Sequence, residues 1–121
     1  MNLIALGLLL GSPFLLTASE HVPSLQIDAS CREVTEVNRS MGLADAQSLD
    51  GCMRDEEQAR QALAPIWATF PAAERERCIG EATIGAASYV DLLTCLQMAR
   101  DADALERSSN LKGARKSKVP R

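Results

Sequence analysis

The sequence predicts an all-α protein: two disulfide-linked antiparallel helical hairpins forming a small four-helix domain. Three observations carry this expectation. Apolar residues recur at spacings of three and four, and no segment alternates strictly enough for a strand. The four cysteines fall into two pairs. Each pair is centred on a turn signal, the first between Met41 and Gly42, the second between Ala86 and Ala87 just past Gly85. Two antiparallel helices bring side by side residues equally far from their turn. The spacing therefore favours Cys31–Cys52 and Cys78–Cys95, because a disulfide needs Cα atoms within about 7 Å. Cys31–Cys78 with Cys52–Cys95, and Cys31–Cys95 with Cys52–Cys78, remain formally open.

The chain of 121 residues has room for one domain. Met1 to Leu16 is almost unbroken hydrophobe without an ionised side chain, Gly11-Ser12-Pro13 interrupts it, and Thr17, Ala18 and Ser19 follow. An apolar run, a breaker and small residues are the layout of a cleaved secretory signal over 1–19, with the cut after Ser19. The n-region carries no Lys or Arg, only the α-amino group. A membrane anchor fits less well, since the run is shorter than the ~20 residues of a spanning helix and contains Pro13. Residues 20–27 read as an exposed lead-in, with Pro23 excluding a helix interior.

The four-helix domain is expected over 28–106. Its first helix begins near Asp28 or Ser30, with Ser30 and Glu33 as a capping box. Ile27, Cys31, Val34, Val37 and Met41 give it one apolar face, and Gly42 a stop. The second helix begins between Asp45 and Asp50, with Ser48 as a third candidate cap. Its apolar face is Leu49, Cys52, Met53, Ala59, Leu63, Ile66, Trp67 and Phe70. On the other face Glu56 is placed to pair with Arg60. Pro65 kinks or divides this helix. Pro71 opens the third helix as its first residue, which runs to Thr83 or Ile84 with small inner residues Cys78, Ile79, Ala82 and Ala86. Ser88 and Asp91 form a second capping box for the fourth helix. Its face is Tyr89, Leu92, Leu93, Cys95, Leu96, Ala99 and Ala102, and it fades near Leu105. Residues 107–121 read as a basic disordered tail.

Charge separates along the chain. Residues 20–106 hold sixteen acids and seven arginines, a net of −9. Residues 107–121 hold six basic residues and no acid, a net of +6. With Trp67, Phe70 and Tyr89 its only aromatics, the domain has a thin core and needs its cross-links. An even cysteine count behind an export signal is the pattern of a disulfide set in an oxidising space. The Ala- and Arg-rich composition points to a GC-rich bacterial genome, so the expected location is periplasmic or secreted.

Chemistry-bearing arrangements are few. The intervals between successive cysteines are twenty, twenty-five and sixteen residues, against the close pairs of structural zinc sites. Neither C-x-x-C-H nor C-x-x-C occurs. The only histidine, His21, sits in the lead-in, where no fixed surroundings would position it. The acidic run Asp55-Glu56-Glu57 points in different directions on a helix and is best explained by its place near a helix start. Trp67 and Phe70 share the apolar face and read as core in preference to a ligand patch. The basic tail could meet an anionic polymer, a membrane surface or an acidic partner, yet it lacks aromatic interleaving and any nucleic-acid motif, and it reads first as a segment that keeps the protein soluble. The expectation is no catalytic, cofactor-binding or metal-ligating residue, and no enzyme. What remains is a small exported binding protein of the cell envelope. Its partner is a protein or envelope component, not nucleic acid, and no stable membrane anchor is left after signal cleavage. The alternative is a periplasmic enzyme inhibitor or a stress-related accessory protein.

The run Ser88-Tyr89-Val90-Asp91-Leu92-Leu93-Thr94-Cys95-Leu96-Gln97-Met98-Ala99, with Ile27-Asp28-Ala29-Ser30-Cys31 and Asp55-Glu56-Glu57-Gln58-Ala59-Arg60 before it, resembles a group of small exported four-cysteine proteins from alphaproteobacteria, rhizobia especially. The likeness spans most of residues 27–103. It implies export and a compact helical domain, and it carries over no catalytic residue, since the group has no assigned activity. A fainter similarity is to lysozyme-inhibitor-like exported domains of the LprI type, whose first two cysteines lie closer together.

Overall fold

The computed structural model describes residues 19–44 and 46–116. The expected signal sequence, Ser19 apart, and Asp45 as a helix start lie outside the described residues. Four α-helices appear in order: α1 (Ile27–Ser40), α2 (Leu49–Leu63), α3 (Ala72–Ala82) and α4 (Tyr89–Lys116), with a 3₁₀ turn at Trp67–Thr69 between α2 and α3. Among the described residues there is no strand. Helix α3 packs on α4, α2 on α4, and α1 on α2. Both favoured disulfides are formed, Cys31–Cys52 with Cα atoms 5.8 Å apart and Cys78–Cys95 with 5.6 Å.

Local chemistry accounts for most helix ends. Gly42 sits at φ +66°, the left-handed conformation that ends a helix at low cost only for glycine, and its N–H reaches the Arg39 carbonyl at 3.1 Å. Ser48 is the cap of α2: its Oγ accepts from the Gly51 N–H at 3.1 Å. Pro65 divides the second helical segment, and the chain turns at 64–66 before the 3₁₀ turn. Ser88 caps α4, its Oγ accepting from the Asp91 N–H at 3.1 Å, but the reciprocal half of the expected Ser88–Asp91 box is not made, because the Ser88 N–H donates to the Ala82 carbonyl at 3.1 Å.

Other expectations are corrected. The Ser30–Glu33 capping box does not form. Helix α1 starts earlier, at Ile27, which is half-buried against the core, and the Ser30 hydroxyl instead donates to the Gln26 carbonyl at 3.2 Å. Pro71 stands one position before α3 as its cap residue, with its carbonyl accepting from the Arg75 N–H at 3.0 Å. Arg60 pairs with Glu57 at 2.7 Å, three residues away, because Glu56 is turned inward. The lead-in is a strap laid on the domain: Val22, Leu25 and Ile27 pack against the core, and the Tyr89 hydroxyl donates to the Pro23 carbonyl at 2.8 Å and accepts from the Leu25 N–H at 2.9 Å.

The last correction concerns the tail. Helix α4 does not fade near Leu105 but runs 28 residues to Lys116, with every residue from 101 to 116 exposed. No proline interrupts 89–116, and Ala, Leu, Arg and Lys are good helix formers. Arg115 and Lys116 also lie in the last turn, where positive charge favours the helix dipole. Residues 117–121 lie outside the described residues.

The core is off-centre. It comprises Ala59 and Leu63 of α2, Trp67 and Phe70, Cys78 and Ala82 of α3, and Tyr89, Leu92 and Leu96 of α4. Helix α1 buries only Cys31. Its expected apolar face stays largely in solvent, with Val34 43%, Val37 49% and Met41 66% exposed.

Candidate functional site

The most connected polar group is Glu56. It stands in phase with Cys52, Ala59 and Leu63, one and two turns away on the inward stripe of α2, and is only 7% exposed. An ionised carboxylate buried without partners is costly. Glu56 finds them at the start of α4. Its Oε1 accepts from the Ser88 hydroxyl at 2.7 Å, and its Oε2 accepts from the Tyr89 N–H at 2.5 Å and the Val90 N–H at 3.3 Å. Helix starts leave amides unsatisfied and carry positive dipole charge, so a carboxylate there replaces water well. Ser88 completes the unit by donating to Glu56 while accepting from Asp91. With both oxygens engaged, Glu56 is placed to lock α2 to α4.

Beside this lock lies a cavity of about 300 Å³ between the first hairpin and the start of α4. Its walls are apolar at Val34, Val90, Ala86, Ala87 and the Cys31–Cys52 cross-link, and Asp55 and Asp91 supply carboxylates. Among the described residues no basic side chain lines it. Asp55 is steadied by the Gln47 side-chain amide, which donates to it at 2.5 Å. Of the exposed apolar residues of α1, Val34 lines the cavity. Apolar walls and fixed negative charge suit a positively charged group carried on an alkyl stem, such as a lysine or arginine side chain.

The other sequence candidates fall outside this basin. Trp67 and Phe70 are buried in the core, each beneath a guanidinium: Arg75 lies 5.4 Å from the Trp67 ring centre and Arg100 4.3 Å from that of Phe70. His21 is exposed in the strap, far in sequence from Asp55 and Asp91. Of the acidic run, Glu57 faces outward, and Arg60 first and Gln61 second hold its carboxyl down to about 2. The cysteines form their two cross-links, and Cys31 and Cys52 also wall the cavity. Among the described residues no group of three or more His, Cys, Asp or Glu is placed to hold a metal ion.

Sequence reasoning missed the inward role of Glu56 and the basin beside it. One signal was available: Glu56 shares the register of Cys52, Ala59 and Leu63, and an acid on a buried stripe requires donors. Compared with family models, with curated proteins and with solved structures, the chain matches none.

Proposed function

We propose that this is an exported, non-catalytic binding protein of a bacterial cell envelope. Its two disulfides are of the kind that persist in non-reducing surroundings. Among the described residues no helix is long and apolar enough to cross a membrane. The observation that carries the binding reading is the apolar stripe of α1 left in solvent at Val34, Val37 and Met41, next to an acidic basin. Contiguous exposed apolar surface rimmed by charge is what interaction faces present. The partner it suits is a protein segment that lays apolar side chains along α1 and places one basic side chain over Asp55 and Asp91.

Cross-linked capture from an envelope extract tests this. The intact protein captures a discrete partner, while Val34→Asp with Val37→Asp loses it and keeps the helical circular dichroism. Capture that survives this double change but disappears when residues 107–121 are removed overturns the assignment of the face. A captured enzyme that is silenced on binding identifies the binding as inhibition.

A further inference from the structure

Helix α4 turns Tyr89, Leu92 and Leu96 into the core and leaves its opposite face in solvent. On that face Asp91, Met98, Leu105 and Lys112 follow one another at a constant interval, two helical turns each. Such an interval drifts by only about 20° per step, so these side chains form one slowly winding stripe. All are exposed, Met98 at 67% and Leu105 at 70%. Thr94, Ala102 and Ser109 fill the turns between them and are exposed as well.

The stripe is complementary to itself when reversed. Asp91 and Lys112 lie equally far from a midpoint between Asp101 and Ala102, and so do Met98 and Leu105. A second copy laid antiparallel about that midpoint sets Lys112 of each beside Asp91 of the other. It also sets Met98 of each beside Leu105 of the other, and Thr94 beside Ser109. Asp101, at the edge of the stripe, meets its own copy near the midpoint and is the like-charged contact of this register. The whole chain favours the same alignment. Residues 20–106 carry a net of −9 and residues 107–121 a net of +6, so antiparallel copies put each basic end against an acidic body, whereas parallel copies stack the basic ends together. The helix dipoles are opposed as well.

The ion pairs among the described residues use neither Asp91 nor Lys112. These two cannot satisfy each other within one chain. They stand on a single unbroken helix, about 32 Å apart at a rise of about 1.5 Å per residue.

We propose that the protein self-associates through α4, two copies crossing antiparallel along the Asp91–Met98–Leu105–Lys112 stripe about a two-fold axis beside Ala102. The interface uses the same patch on both copies and closes at a dimer. Its apolar layers are few and its ion pairs are exposed, so it forms reversibly, rises with concentration and weakens with salt. It is independent of the α1 face, since Val34, Val37 and Met41 lie off the stripe. Asp91 also walls the acidic basin, and the dimer brings it a lysine, the class of group that basin suits.

Sedimentation equilibrium of the intact, disulfide-bonded protein over rising concentration tests this. The expected result is a monomer–dimer equilibrium that shifts toward monomer in high salt. Leu105→Asp and Lys112→Asp are each expected to raise the dissociation constant at least about tenfold, with the helical circular dichroism kept. Adding Asp91→Lys to Lys112→Asp exchanges the charges and is expected to restore the dimer. Asp101→Asn acts in the opposite direction and tightens it. Val34→Asp with Val37→Asp is expected to leave it unchanged. A monomer at every concentration overturns the inference and leaves the α1 binding face standing. A dimer indifferent to Leu105→Asp, or lost with the α1 double change, overturns the assignment to α4. Failure of the charge exchange to rescue overturns the antiparallel register, and open-ended oligomers overturn the closed two-fold geometry.

Discussion

The two disulfide hairpins have the same covalent plan and opposite interiors. Cys78–Cys95 lies within the core, with Cys78 fully buried beside Ala82, Leu92 and Leu96. Cys31–Cys52 lies at the edge of it, and Cys31 is the one fully buried side chain that α1 contributes. Both close loops of similar length, separations of 21 and 17 residues, so chain entropy assigns each about 3 kcal/mol. The difference is in what else holds each hairpin. In the second, the cross-link adds to packing. In the first, it stands in for packing, and α1 is free to keep an apolar stripe in water. A covalent tie thus lets a small protein expose surface that a larger one would have to bury.

The largest expected effect comes from breaking the second tie. Cys78→Ala with Cys95→Ala removes about 3 kcal/mol of loop entropy and leaves space in the core, so cooperative melting drops by the largest margin of any change here. Cys31→Ala with Cys52→Ala is the decisive contrast. Hydrogen exchange is expected to lose protection over 27–40 while Leu63, Leu92 and Leu96 keep theirs, since those residues belong to a separate cooperative core. If both pairs unfold the chain globally and alike, the two hairpins are energetically one unit and the contrast fails.

A matched pair of truncations sharpens the same point. Leu92→Ala is expected to cost about 3 kcal/mol in denaturant unfolding, as for a fully buried leucine, and Val34→Ala less than about 0.5 kcal/mol. Glu56→Ala falls between them, at about 2 kcal/mol, because it strips an acceptor from the Ser88 hydroxyl and the Tyr89 N–H at once. It should also speed exchange of the first amides of α4, which a merely cavity-forming change would not single out.

The smallest effect is electrostatic. The Glu57 carboxyl is held at about 2, mainly by its hydrogen bonds from Arg60 and then Gln61. A depressed carboxylate contributes stability above its unfolded value, and that contribution is lost as pH falls toward 2. The Glu57 side chain is 41% exposed, so solvent screening keeps the amount small. Glu57→Gln should therefore be slightly less stable than the unaltered protein at neutral pH, with the difference shrinking below pH ~4 and vanishing as pH falls toward 2.

What could be read in advance was local. Gly42, Ser48, Pro65 and Ser88 act on backbone within a few residues of themselves, and each ends, divides or starts an element where its chemistry says it should. The disulfide pairing was also legible, because symmetry about a turn is a property of spacing alone. The features that escaped depend on distant partners. The oxygens of Glu56 meet donors 32 to 34 residues away, so its isolated neighbourhood suggested an ordinary surface pair with Arg60. The Tyr89 hydroxyl reaches 64 and 66 residues back to hold the strap, and nothing in Pro23 or Leu25 announces it. The continuation of α4 was missed for the opposite reason: a segment without an apolar face was taken to lack structure, whereas a proline-free run extends an already nucleated helix even through Ser108, Ser109, Asn110 and Gly113.

That continuation has a mechanical and electrical result. At a rise of about 1.5 Å per residue, α4 is a rod about 42 Å long, and its outer end carries Arg107, Lys112, Arg115 and Lys116 away from a body rich in carboxylates. The molecule is therefore a large permanent electric dipole with a stiff handle. Near any negatively charged boundary it experiences a torque that swings the handle inward and turns the body toward the open solution.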